Sequence, residues 1–297
     1  MKLALGPIQY FWSAEAVRDF YARVREWPVD IVYLGEVVCG KRRALGPDDW
    51  LEVAGELAAA GKEVVLSTQA LMEAESELAG LKRLCANDRY PVEANDMGAV
   101  HLLTGTEGFV AGPHINAYNS ETLALLHELG ARRWVLPVEL SRRTLADLQA
   151  ERPAGLETEV FAFGRLPLAF SARCFTARAH NLPKDQCGFR CGEDPDGKGL
   201  YTQEDQHLFT INGVQLQSGA PCNLVRANDK LRDLGVDVLR ISPQSFETGA
   251  VVEAFRAAVD GVRDPLDAEA DLAHLGADGW CNGYWYGTAG MGTGAEP

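Results

Sequence analysis

No run of apolar residues in this sequence approaches the eighteen or so needed to cross a bilayer as a helix, so no membrane-spanning helix is expected. Positive charge is also scarce: 28 lysines and arginines stand against 42 aspartates and glutamates, a formal net charge of -14. A phosphate-backbone binder needs a basic face that releases counterions, so nucleic acid is excluded as the expected partner in favour of a small molecule or another protein. Hydrolase signatures are missing too. His127 and Glu128 are followed by Leu129, Gly130 and Ala131, without the second histidine of HExxH, and no GxSxG elbow occurs. The terminal GMGTGA imitates a dinucleotide fingerprint, but no helix can follow it before Pro297. The first twenty residues, MKLALGPIQYFWSAEAVRDF, interrupt their apolar stretch at Gly6 and Pro7 and offer no small-residue cleavage site. The expectation is a soluble, cytoplasmic protein, with no basic amphipathic face for membrane insertion.

What is present is a regular alternation. Short β-type runs such as LALGPI, DIVYLGEVVC, EVVLSTQAL, GFVAGPHIN, RRWVLPVEL and DVLRISP are each followed by a helical pattern, from the N-terminus to about residue 260. Ser120 and Ser141 are placed to cap two of these helices and Gly130 to stop one. Asp48 and Asp49 are placed to open another, where carboxylates favour the positive end of the dipole. In the last unit Val252, Phe255 and Val259 fall at helical spacing. Eight such alternations with short apolar strands predict an α/β fold, a TIM-like (β/α)8 barrel, over a doubly wound sheet. The chain reads as a single domain, 1–297, with an insertion over about 171–233 and a C-terminal extension over 264–297.

Seven cysteines is an odd number, and in a reducing compartment they are expected to be metal ligands, reactive thiols or small buried hydrophobes. Three fall in one segment, CFTARAHNLPKDQCGFRC, as Cys174, Cys187 and Cys191. A closed soft-metal site needs a fourth ligand. Cys39 is the best placed, because it ends a strand whose C-terminal end would share the barrel mouth with Cys174. The run Lys41, Arg42, Arg43 follows it with a field that favours thiolates. Four thiolates suit either a [4Fe-4S] cluster or a structural zinc, and the spacing alone leaves both open beside incidental cysteines. Cys85, Cys222 and Cys281 read as buried core, Cys281 less clearly because it lies among aromatics.

YLGEVVCGKRRA, EVFAFGRLPLAFSARCFTARAHNLPKDQCGFRC and WCNGYWYGTAGM together resemble the peptidase U32 family over nearly the whole chain, and within it the members that serve ubiquinone biosynthesis. The resemblance implies a [4Fe-4S] cluster with iron ligands Cys39, Cys174, Cys187 and Cys191. It implies a heterodimer with a UbiU-like partner, anaerobic hydroxylation of the ubiquinone ring and prephenate as oxygen donor. Access to a lipid-tailed substrate then falls to a partner, such as a lipid-carrier protein of that pathway. Competing expectations are a zinc-stabilised or metal-free binding module and, on the family name alone, a peptidase.

Around the cysteines, Arg42, Arg43, Arg173 and Arg178 are candidates to neutralise a cluster or bind a dicarboxylate, against ordinary surface ion pairing. His180 is a candidate proton shuttle or cluster donor, with a loop-capping role preferred. Glu36 and Glu159 read as structural ion-pair partners rather than catalytic acids. Trp280, Tyr284, Trp285 and Tyr286 could line a ring pocket, but packing over the barrel is the preferred reading.

Overall fold

Each apolar run forms a strand in the computed structural model, which describes residues 1–106, 108–276 and 279–294. In chain order β1 (Lys2–Leu5), α1 (Ala14–Val24), β2 (Ile31–Leu34), α2 (Pro47–Ala59), β3 (Glu63–Ser67), α3 (Glu75–Cys85), β4 (Val92–Ala94) and α4 (Met97–Leu103) form the first half. They are followed by β5 (Phe109–Ala111), α5 (Ser120–Glu128), β6 (Ala131–Val135), α6 (Arg142–Ala150) and the long β7 (Glu157–Phe170). After α7 (Phe175–Ala179) come β8 (Lys198–Tyr201), β9 (His207–Asn212), β10 (Gln215–Asn223), α8 (Asn228–Asp233), β11 (Val238–Ile241), α9 (Thr248–Val259), α10 (Pro265–Asp271) and α11 (Gly283–Tyr286). Strands β1 to β7 and β11 pair in parallel, and β11 closes the ring by pairing with both β1 and β7. This is the expected (β/α)8 barrel, and among the described residues no helix is long and apolar enough to cross a membrane.

The period of two along each strand sorts side chains between barrel interior and helix layer. Ala4, Ile31, Tyr33, Val65, Val110, Val135 and Val238 form the inner cluster. Their strand neighbours Leu3, Leu5, Val32, Leu34, Val64 and Leu66 join the larger core beneath the helices, where Val252, Phe255 and Val259 are also buried. The helix starts follow the sequence with one correction. Ser141 accepts the Thr144 N–H, but α5 is capped by Asn119, whose side chain accepts from Thr122 at 2.8 Å, leaving Ser120 inside the first turn. Asparagine one residue earlier reaches the same orphan donors.

A column of charge runs through the barrel. Arg240 is 2.7 Å from Glu93 and 2.6 Å from Glu159, and Tyr33 donates to Glu159 at 2.5 Å. Arg133 donates to Tyr33, Glu63 and Glu157. Glu159 is thus the structural ion-pair partner expected of it. Gly6 makes room for this column, because a side chain there would meet the Arg240 stem at 3.3 Å.

β7 outlasts the barrel. It pairs with β11 as far as Phe163 and from there antiparallel with β10, which pairs with β9 and β9 with β8. The change of partner falls at Gly164, whose φ of +124° suits glycine and whose absent Cβ would lie 2.6 Å from that of Ser242. The chain returns to the barrel at Asn223, and α8 then serves as the barrel helix before β11. In the C-terminal extension Trp285 and Cys281 are buried, Trp280 meets Phe163 edge-on at 6.1 Å, and the Cys281 N–H donates to Pro221. The preferred packing role of those aromatics agrees with this placement. Residues 277–278 and 295–297 of the expected extension, with Ala295 of GMGTGA, lie outside the described residues.

Candidate functional site: a four-cysteine cavity

Beyond β2 the chain must turn over the barrel end, and Glu36 shapes that turn by accepting the N–H groups of Val38 at 2.9 Å and Cys39 at 3.0 Å. Burial pushes the Glu36 carboxyl up, with Arg42 and those two N–H groups opposing. The second segment is anchored by the turn between β9 and β10. Phe175 donates to the Gly213 carbonyl at 2.8 Å, and Gly213 donates to the Thr176 hydroxyl at 3.0 Å. Cys174 itself caps α7, its Sγ accepting from the Ala177 N–H at 3.4 Å. Between Cys187 and Cys191, Gly188 and Phe189 both take left-handed backbone angles, φ +57° and 54°, which reverse the chain within three residues.

The result is that Cys39, Cys174, Cys187 and Cys191 all line one cavity of about 360 Å³, counting its part open to solvent. All seven cysteines are free thiols; Cys85, Cys222 and Cys281 are buried away from this cavity, as expected of core. Val38, Ala177 and Val214 pack with Cys174 behind it, with Phe170 and Leu182 at the edge. Burial pushes the thiols of Cys39 and Cys174 up; nearby N–H groups, with Arg42 and Lys184 beside Cys39, work the other way.

Arg42 is the buried cation of the site, its side chain 1% exposed. One terminal nitrogen donates to the Gln9 carbonyl and the other to the Asn212 side chain, both at 2.7 Å. Glu36 stands 3.8 Å away, and Nε has no hydrogen-bond partner. Burial works against the Arg42 charge, but Glu36, Cys191 and Cys39 outweigh it and hold its pKa above the ordinary value. Gly213 is required by this arrangement, since a Cβ there would lie 2.7 Å from the guanidinium. Lys184, which no sequence signal marks, also lines the cavity; it is paired with Glu73 and donates to the Ala172 carbonyl. Lys41 is paired with Asp185. Nothing in a lone lysine inside a charged segment marks its direction, so only the fold reveals Lys184.

Of the other candidates, Arg43, Arg173 and Arg178 are exposed and do not line the cavity. His180 closes α7 with its backbone N–H; its ring is outside the lining and its Nε2 is buried without a partner. Glu36 has the structural role anticipated. At the barrel mouth beside the site, His114 meets the Phe170 ring edge-on at 4.8 Å, a contact no sequence signal announced.

The donor set fits an anionic four-thiolate group: four sulfurs around one cavity and a buried guanidinium with an unpaired N–H beside them. Among the described residues no three histidine, cysteine or carboxylate side chains form a group able to hold one metal ion. Zinc draws all its sulfurs to about 2.3 Å of a single point. A multi-iron cluster distributes its cysteines among several metals, and four thiolates are a donor set for either group.

Among solved structures, the chain is similar to the U32 peptidase Mk0906, with 12% identity, TM-score 0.46, and coverage of 82% of this chain and 93% of that one. It is also similar to a DAHP synthase from Thermotoga maritima, with 11% identity, TM-score 0.37, and coverage of 91% and 70%. A dihydropteroate synthase from Anaplasma phagocytophilum gives 10% identity, TM-score 0.39, and coverage of 88% and 97%. In sequence, Peptidase family U32 matches residues 17–293, and the chain belongs to that family.

Proposed function

We propose that this chain is an iron-sulfur subunit of an oxygen-independent hydroxylase, acting in ubiquinone biosynthesis in the manner of UbiV, the U32 member its cysteine segments resemble. The observation that carries the reading is the meeting of Cys39 with Cys174, Cys187 and Cys191 around one cavity beside buried Arg42. These four residues would hold a [4Fe-4S] cluster. When bound, such a cluster supplies one-electron transfer or activation of an oxygen donor.

The chain's own contribution is electrostatic and steric. Arg42, held by Gln9 and Asn212, sets a fixed positive charge against the thiolates, and Lys184, its charge shared with Glu73, also lines the cavity. Val38, Ala177 and Val214 keep the inner side dry, which strengthens those interactions. A UbiU-like partner completes a heterodimer, a lipid-carrier protein presents the quinone precursor, and prephenate provides the oxygen, as the resemblance implies.

The test is anaerobic purification followed by absorption spectroscopy and iron and sulfide analysis of the native protein and of Cys39→Ala. A broad band near about 400 nm with roughly four irons per chain, lost or weakened in the variant, is expected. A colourless protein holding zinc or no metal after anaerobic reconstitution would leave a binding module. Proteolysis that survives loss of all four cysteines would point to a peptidase instead.

A further inference from the structure

A second concavity lies outside the barrel, between α1 and the first turn of α9, with a volume of about 510 Å³ counting its part open to solvent. The donors around it are unspent. The first intrahelical bond of α9 runs from Val251 to Glu247, and the N–H groups of Thr248, Gly249 and Ala250 have no partner among the described residues. Gln244 is only 7% exposed, yet its side-chain amide has no hydrogen bond among the described residues and faces this groove. Arg23 lines it with no ion pair among the described residues, its guanidinium 5.9 Å from the Phe20 ring.

The loop bearing these donors is held without consuming them. Gln244 donates its backbone N–H to the Thr248 hydroxyl, which donates back to the Gln244 carbonyl, both at 2.9 Å. Ser245 donates to Asp196 at 2.7 Å. Trp27 and half-exposed Phe246 supply flat apolar surface, and Gly249 lets the Trp27 ring sit close, 3.1 Å from where a Cβ would be. One carboxylate also lines the groove, that of Glu247, and His274 stands 2.7 Å from it.

We infer that this groove binds a small phosphate monoester carrying an aromatic or similarly flat group. A helix N-terminus favours anions through its orphan N–H groups and dipole, and barrel enzymes commonly hold phosphate near the end of their last strands. Three backbone N–H groups, two amide hydrogens and a guanidinium exceed what the two oxygens of a carboxylate accept and match the three of a phosphate. With a net charge of -14 the molecule as a whole repels anions, so retention depends on these local donors. Asp196 lies five residues beyond Cys191, so the groove's loop is tethered to the cysteine segment, although the inference does not depend on the cluster.

The experiment is isothermal calorimetry on the full chain with phenyl phosphate, inorganic phosphate and benzoate as probes. Saturable binding of phenyl phosphate is expected, tighter than benzoate, and weakened roughly tenfold by Arg23→Gln and by Gln244→Leu. Arg23 is exposed on α1, so its variant keeps the test valid even if Gln244→Leu fails to fold. No saturation by about 10 mM, binding unchanged in Arg23→Gln, or equal binding of benzoate would each overturn the assignment.

Discussion

Arg42 shows how one side chain can join three segments. Its guanidinium bridges the Gln9 carbonyl and Asn212 and faces Glu36, while Cys191 and Cys39 stand beside it. Arg42→Met should cost about 3 kcal/mol, because Glu36 loses its cation and the buried Asn212 side-chain oxygen its donor, while the Gln9 carbonyl keeps only the Asn212 amide. It should also lower the iron retained after anaerobic reconstitution, and Arg42→Lys should restore only part, since an ammonium cannot hold the fork. Urea midpoints and iron per chain read the two effects separately. His114 offers a pH test. Burial pushes its pKa down to about 4, with Arg240 helping and Glu93 opposing. An unfolded histidine titrates near about 6.5, so between these values the unfolded chain binds a proton that the folded chain refuses. This contribution is therefore fully present above pH 6.5 and is lost as pH falls toward 4, at up to about 1.4 kcal/mol per pH unit. His114→Gln should flatten the dependence of the urea midpoint on pH in that window.

At the level of elements, the departure of β7 from the barrel creates the platform on which the cysteine segment rests. Gly164 permits it, since any Cβ meets Ser242 at 2.6 Å as well as an unfavourable φ. Gly164→Ala should destabilise by about 2 kcal/mol or more. Gly155→Ala is the control: its φ is +85° but nothing lies within 4 Å of the added carbon, so about 1 kcal/mol is expected. Denaturant midpoints of the two variants distinguish collision from backbone strain. The turn between β9 and β10 matters in the same way, because Gly213 both anchors α7 and clears the Arg42 guanidinium.

On the scale of the whole molecule, a barrel that could have been filled by apolar side chains instead carries Arg133, Arg240, Glu93 and Glu159 in its interior, all buried. Such pairs gain little over hydrophobic filling but are costly to break, because removal of one partner strands a charge. Arg240→Met should lower stability by about 3–5 kcal/mol, visible as a lower melting temperature, while adding Glu93→Gln and Glu159→Gln should recover part of it. The column touches six of the eight barrel strands, so its loss should be felt as a cooperative change of the whole ring rather than as local fraying.

The alternation of apolar runs and helical patterns by itself favoured the barrel, since hydrophobic periodicity is a local property, but only the pairing of β11 with both β1 and β7 decided a closed ring over an open doubly wound sheet. The spacing of Cys174, Cys187 and Cys191, the strand-end position of Cys39 and the basic run after it likewise singled out the cysteines. Tertiary structure alone decided that these four share a cavity, that Arg42 rather than Arg43, Arg173 or Arg178 is the buried cation, and that Lys184 lines the rim. It also decided that Glu159 and Arg240 meet inside the ring, and that Gln244 and Arg23 flank one groove. The reason is physical. Periodicity is written in neighbours a few residues apart, whereas the direction of a polar side chain depends on which distant strand closes beside it and which glycine leaves the space.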